Sequence, residues 1–315
     1  MHKRVLFITL GVLLALIVVP ILFTQLTRRR PTPRPPIDLD SMTYEDIRFE
    51  NPAAGIDLTG ILFVPEGEPP FPAVVIIHGS GTSRRANPWY LTYAGYLQEN
   101  GILVLLPDKR GSESSGGDWR TSSMEDLATD TQSAISYLRT ERPQLVRSIG
   151  ILGVSQGGVI APIVASETSD LAFVINVVGH AVPMYDQLLY EENNNLREMG
   201  FLPGFSNALT YLTTFVNWNI SARDFWSAVG NFDPLPYWRE VTVPALVLLG
   251  DQDVNVPSGQ SRDRLNALGK ENIRVVIFEG SGHGLEAPAG IGGDYQREDA
   301  LELIRDFILD VTESR

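Results

Sequence analysis

Ser148-Ile-Gly-Ile-Leu-Gly-Val-Ser-Gln-Gly-Gly-Val-Ile-Ala-Pro-Ile-Val-Ala-Ser166 is the stretch on which the architecture of this chain turns. Ile149 to Leu152 is a short apolar run of strand character, and Gly158 to Ser166 has the make-up of a helix. Between them, Gly153-Val-Ser155-Gln-Gly157 must convert strand into helix within a few residues. A serine at such a turn is pushed above the end of its strand. Glycines two before and two after it remove the side chains that would collide there. The following helix starts at the hydroxyl, so its N-terminus favours negative charge developing at that point. Ordinary glycine-flanked turns also match five residues of this kind, so the surroundings must carry the reading.

Outward from this turn, short apolar runs alternate with amphipathic segments. Ala73–Ile77, Gly101–Leu106, Leu171–Val178, Ala245–Leu249 and Ile273–Phe278 read as strands. Their near-continuous apolar character fits strands buried on both faces. Ile47–Phe49 and Leu58–Val64 read as two earlier strands around the turn-rich Asn51–Gly55. A helix is expected over Met124–Thr140, where Leu127, Ala128, Ala134, Ile135 and Leu138 share one face, with Ser122-Ser-Met-Glu125 as its capping box. Another is expected over about Gln296–Leu309. This alternation predicts an α/β fold with a doubly wound, mostly parallel sheet. It breaks between about Met184 and Trp238, a stretch rich in aromatics and without a convincing strand. We expect a helical cap insertion there, its aromatics packing the cap's own core or facing a substrate.

The chemistry-bearing residues follow the strands. Ser155 is the candidate nucleophile. His78-Gly-Ser-Gly81 comes after Ala73–Ile77, where a glycine-rich turn can aim backbone N–H groups at an oxyanion. Ser80 is the preferred first donor, with Gly79 the alternative, and Gln156 supplies the second. A base needs a nitrogen titrating near neutrality. Of the four histidines, His283 in Gly280-Ser-Gly-His-Gly284 follows the last strand and is the candidate; His78 and His180 read as structural or loop residues. The orienting acid falls in Gly250-Asp-Gln-Asp253, where Asp253 is preferred over Asp251. A carboxylate at either position could instead cap a turn. The order Ser155, Asp253, His283 is the order expected where a serine turn of this kind follows a central strand. Asp108 and Asp118 near Arg110 suggest a metal site less well than a structural turn, and neither a metal nor a cofactor is expected.

Composition narrows the classes. The chain has 315 residues and a formal net charge of −13, which argues against nucleic acid as a partner. It has no cysteine, which excludes a thiolate nucleophile and cysteine-bound zinc. Val5–Leu26 is an uncharged, mostly apolar run of 22 residues, preceded by Lys3-Arg4 and followed by Arg28-Arg-Arg30. As a helix it would cross a hydrocarbon core of about 30 Å. We read residues 1–30 as an N-terminal transmembrane anchor, with a cleaved signal segment and a buried helix as alternatives. The flanking charges are too balanced to assign a membrane side. Pro31-Thr-Pro-Arg-Pro-Pro36 then heads a semi-rigid linker over residues 31–43, and the globular domain is expected over 44–315.

The motifs His78–Gly81, Asp108-Lys-Arg-Gly111 with Ser115-Gly-Gly-Asp118, Gly153–Gly157, Gly250–Asp253 and Gly282–Gly284 together resemble those of bacterial α/β-hydrolases related to the dienelactone hydrolases, and of their esterase relatives. The resemblance runs from about Tyr44 to the end, more weakly across the insertion. It implies the α/β-hydrolase fold, a Ser155–Asp253–His283 triad, and most often a carboxylesterase acting on a small-molecule ester. Peptidases, amidases and thioesterases share the site. Dienelactone hydrolases proper use a cysteine nucleophile, which this chain lacks, so the esterases are the better comparison. A membrane-tethered binding module with an inert serine is the rival from another class.

Overall fold

The computed structural model describes residues 39–82, 84–286 and 296–313. The apolar run Val5–Leu26 and the proline-rich segment lie outside the described residues. Among the described residues, no helix is long and apolar enough to cross a membrane.

Eight strands form one sheet: β1 (Glu45–Asn51), β2 (Ile56–Phe63), β3 (Phe71–Ile77), β4 (Leu103–Pro107), β5 (Val146–Val154), β6 (Val174–Val177), β7 (Ala245–Gly250) and β8 (Ile273–Phe278). Their spatial order is β1-β2-β4-β3-β5-β6-β7-β8. Only β2 runs against its neighbours; from β4 to β8 every pairing is parallel. The central strands β3, β4 and β7 are buried along their whole length. That is why they read as unbroken apolar runs instead of alternating ones.

Helices α1 (Pro88–Glu99), α2 (Met124–Glu141) and α3 (Gln156–Glu167) follow β3, β4 and β5. Between β6 and β7 come α4 (Met184–Glu198), α5 (Pro203–Val216), a π-turn (Asn217–Ser221), α6 (Arg223–Val229) and α7 (Leu235–Glu240). Helices α8 (Ser258–Asn266) and α9 (Glu298–Glu313) complete the chain. Side chains of α2, α3 and α8 fill one face of the sheet, and those of α1 and α9 fill the other.

Two expected boundaries move. The capping box of α2 is Ser123 with Asp126, one residue later than expected. Ser122 is already engaged: its hydroxyl donates to the Asp118 carbonyl and accepts from Arg110. Strand β6 starts at Val174 instead of Leu171. Ala172 donates to the Ile149 carbonyl on the β5 side, but on the β7 side the first bond runs from Val174 to the Pro244 carbonyl, and Pro244 has no N–H to extend the pairing further back.

Candidate active site

Because β3 lies between β4 and β5, the loops that leave the three strands converge at one edge. They are the His78–Gly81 loop, the Asp108–Gly111 turn and the Ser155 turn. Ser155 itself has φ 55° and ψ −117°, a conformation that side-chain-bearing residues rarely adopt. It is held by its own N–H donating to the Val177 carbonyl (2.8 Å) and by its carbonyl accepting from Gly158 (2.8 Å). A Cβ at Gly153 would lie 2.1 Å from the Gly157 oxygen, and one at Gly157 would lie 2.1 Å from the Ile77 oxygen. Only glycine fits at these two positions.

The structure brings Ser155, Asp253 and His283 together from three separate loops. His283 Nε2 is 3.0 Å from Ser155 Oγ, and His283 Nδ1 is 2.8 Å from Asp253 Oδ2. Asp253 is fully buried as a side chain, and His283 is partly open. The second oxygen of Asp253 accepts from the amides of Asn255 (2.8 Å) and Val256 (2.9 Å). The carboxylate therefore caps its own turn with one oxygen and faces the imidazole with the other. Asp251 points elsewhere and accepts from the Gly280 amide (2.7 Å). Trp89 stands edge-on to the His283 ring, 5.6 Å between centroids.

Ser80 and Gln156 both line a cavity of about 190 Å³ that contains Ser155 and His283. Gly79, the alternative donor, has its N–H committed to the Tyr90 hydroxyl (2.8 Å). Gln156 is the first residue of α3, so its amide has no intrahelical acceptor. Met184 and Leu188 of α4, with Phe225 and Trp226 of α6, form the cap side of the cavity.

Sequence reasoning took Asp108-Lys-Arg-Gly111 as a structural turn. For two of its residues that describes the structure: Asp108 pairs with Arg85, and Arg110 with Asp130. Lys109 does more. Its buried ammonium donates to the Gly79 carbonyl (2.7 Å) and to Gln156 Oε1 (2.7 Å). The Gly79 carbonyl and the Ser80 N–H belong to one peptide group and point in opposite directions. Holding the oxygen therefore aims the Ser80 N–H the other way. Burial pushes the Lys109 pKa down to about 7, while the Trp119 ring 4.8 Å away favours the charge. Even as a neutral amine it keeps two N–H donors for its two acceptors. The available signal was a lysine at the carboxyl end of a strand beside the one that carries His78–Gly81.

His78 and His180 are structural. His78 Nε2 lies 2.6 Å from the Pro107 carbonyl, and its ring stands edge-on to Tyr90. His180 Nδ1 lies 2.8 Å from the Val182 carbonyl, with the residue on the cavity wall. Burial pushes both pKa values down to about 4. The cap also grips the acid loop, which sequence reasoning missed. Tyr190, Asn194 and Gln187 of α4 donate in turn to the carbonyls of Asp253, Val254 and Asn255 (2.8, 3.0 and 2.9 Å).

The cap's aromatics correct the expectation made for them. Phe225 and Trp226 do line the cavity, and Trp218 stacks on Trp226 at 4.5 Å. Tyr185 stands edge-on to Trp218 at 5.3 Å, but Phe205, Tyr211 and Phe215 are exposed and do not line the cavity.

Comparison with known proteins gives this geometry a family. The chain matches the family described as BAAT / Acyl-CoA thioester hydrolase C terminal over residues 131–290, about half its length, and Serine aminopeptidase, S33, over 68–187. The chain belongs to the α/β-hydrolase serine esterases. Esterase EstD of Thermotoga maritima is 25% identical over 261 residues, which cover 78% of this chain and 61% of that protein. The acylamino-acid-releasing enzyme of Rattus norvegicus is 25% identical over 80% of this chain, but the match spans only 33% of that enzyme. The fold of this α/β-hydrolase is like that of the Pyrococcus furiosus esterase Pf2001 (TM-score 0.61, 18% identity, covering 91% of this chain and 95% of that one).

Proposed function

We propose that this α/β-hydrolase cleaves carboxylic esters through an acyl-enzyme on Ser155. The observation that carries the reading is the His283 imidazole, within hydrogen-bond reach of both the Ser155 hydroxyl and the buried Asp253 carboxylate. His283 takes the serine proton as Oγ attacks the ester carbonyl, and Asp253 holds the imidazole in the tautomer that can accept it. The amides of Ser80 and Gln156 stabilise the oxyanion, each contributing about 3 kcal/mol at the transition state. His283 then protonates the departing alcohol. Water, activated by the same base, releases the acid. A cavity of about 190 Å³ suits a short acyl group, with the alcohol part lying outside it. The expected test result is that Ser155→Ala loses turnover of 4-nitrophenyl butyrate by a factor on the order of 10⁴ to 10⁶. Asp253→Asn should lose on the order of 10⁴, with the fold intact by circular dichroism. Unchanged turnover in Ser155→Ala, or failure of a fluorophosphonate probe to label Ser155, would reject the proposal.

Thioesters are the second reading, supported by the match to the acyl-CoA thioester hydrolase C terminal. A panel of one acyl group presented as ester, thioester and anilide ranks the leaving groups.

For location, Val5–Leu26 supports an N-terminal membrane anchor, with the residues up to Asp38 as spacer. Full-length protein expressed in cells should stay in the membrane pellet after carbonate extraction; release would reject the anchor.

A further inference from the structure

Helix α5 is inside out. Its buried positions are Ser206, Thr210 and Thr214, spaced four apart on the face turned to the protein. Thr210 on that face meets Asn193 of α4 through a 2.9 Å hydrogen bond. Its outward face carries Phe205, Leu212 and Phe215, the last two 59% and 58% exposed. Leu202 just before the helix and Ile220 just after it are 62% and 67% exposed. A helix on a protein in water places its apolar stripe inward and its polar residues outward. Here both are reversed: hydroxyl residues face the protein and large apolar side chains face outward.

Charge says the same. The 24 residues from Met199 to Ala222 contain no Asp, Glu, Lys, Arg or His, in a chain of net charge −13. A stretch of that length would carry about six charged residues at ordinary usage. Helix α5 has 14 residues, about 21 Å, too short to span a bilayer but suited to lie in its surface. The sequence also brings a bilayer within reach. Residues 27–38, between the apolar run and Leu39, have an extended length of about 37 Å.

We infer that the outer face of α5 docks into a lipid bilayer and that the substrates are esters drawn from that bilayer. One residue of the same uncharged stretch, Asn217, lines the active-site cavity. A lipid-soluble ester leaving the membrane at the cap meets the Ser155 cavity without crossing bulk water. The substrate class rests on the ester-hydrolase reading; the docking does not.

The native chain has no cysteine, so one introduced thiol is unique. Full-length Leu212→Cys carrying an NBD label, in phosphatidylcholine vesicles, should be quenched by doxyl-labelled lipid and shielded from aqueous iodide. Glu302→Cys on α9 serves as control and should show the reverse. In a second arm, Leu212→Asp/Phe215→Asp should lower turnover of vesicle-borne hexadecyl acetate at least tenfold and leave soluble 4-nitrophenyl butyrate within twofold. Loss of both activities alike points to a folding defect, so the label arm then decides alone. A label equally open to iodide at both positions overturns docking. So does shielding from iodide without doxyl quenching, which means that a second copy or the Val5–Leu26 run covers the face. If butyrate turnover is absent even in the native chain, the hydrolase reading fails, whatever the label reports.

Discussion

Two short apolar helices, α3 and α5, meet opposite fates. Every residue of α3 from Gln156 to Ala165 is buried, between the sheet and the helices that flank it. Helix α5 is of similar length and, like α3 before its terminal Glu167, carries no charge, yet it buries three hydroxyl residues and exposes its large side chains. Composition makes both helices apolar; only the partner differs. Helix α3 follows a central strand and inherits the sheet face as its partner. Helix α5 packs chiefly on α4 and the π-turn, and the side of α4 that it meets is polar. One helix starts at the Ser155 turn, and the other presents a surface.

That contrast can be tested step by step. Ile160→Ala, at a site 1% exposed in α3, should cost about 2–5 kcal/mol in urea unfolding, the usual range for emptying a packed core position. A cost below 1 kcal/mol would mean that α3 is loosely held and the contrast is false.

The buried histidines offer a smaller effect. Both His78 and His180 are held near pKa 4 by burial, against 6.5 in the unfolded chain. Below pH 6.5 the unfolded chain binds protons that the folded one refuses. Stability is therefore full above pH 6.5 and drains as pH falls toward 4, by about 3 kcal/mol for each histidine. Denaturation midpoints across that window should show the loss, and His78→Gln should remove about half of it, leaving the part due to His180; a flat native profile would contradict the burial.

Lys109→Met should lower kcat on ester substrates by about 10² while KM changes less than twofold, because one hydrogen-bond donor of an oxyanion hole is typically worth that much. An equal change in kcat and KM would make Lys109 merely structural. Affinity for a trifluoromethyl ketone, which forms an oxyanion on Ser155, should fall in step with kcat.

The smallest effect is on the exposed side. Leu212→Ser should shift stability in water by no more than about 0.5 kcal/mol, as is usual for surface positions. A cost comparable to that of Ile160→Ala would show that Leu212 is covered in solution.

Much of the site was legible before any coordinates. Glycines at 153 and 157 are required by backbone approaches of 2.1 Å, and a steric demand of that kind leaves a mark in a linear pattern. The ends of β3, β5, β7 and β8 carry the residues that meet, because parallel strands present their carboxyl ends at one edge. Lys109 was not legible, since its meaning depends on the order β4-β3-β5, in which neighbours in space are not neighbours in sequence. The grip of α4 on the Asp253–Asn255 carbonyls was hidden for the same reason: a side-chain bond to a distant backbone oxygen imposes no periodicity. The choice between Asp251 and Asp253 stayed open because both sit on one turn, and only the direction of the side chain separates them.

By itself, the sequence determined the doubly wound sheet, the strand-to-helix turn at Ser155 and the helical character of the insertion. These follow from local periodicity and from steric limits that act within a few residues. Tertiary structure decided which carboxylate faces His283, which lysine steadies the Gly79–Ser80 peptide, and which face of α5 looks outward. Each of these depends on what lies opposite a side chain in space, and that is settled only when distant strands and helices pack.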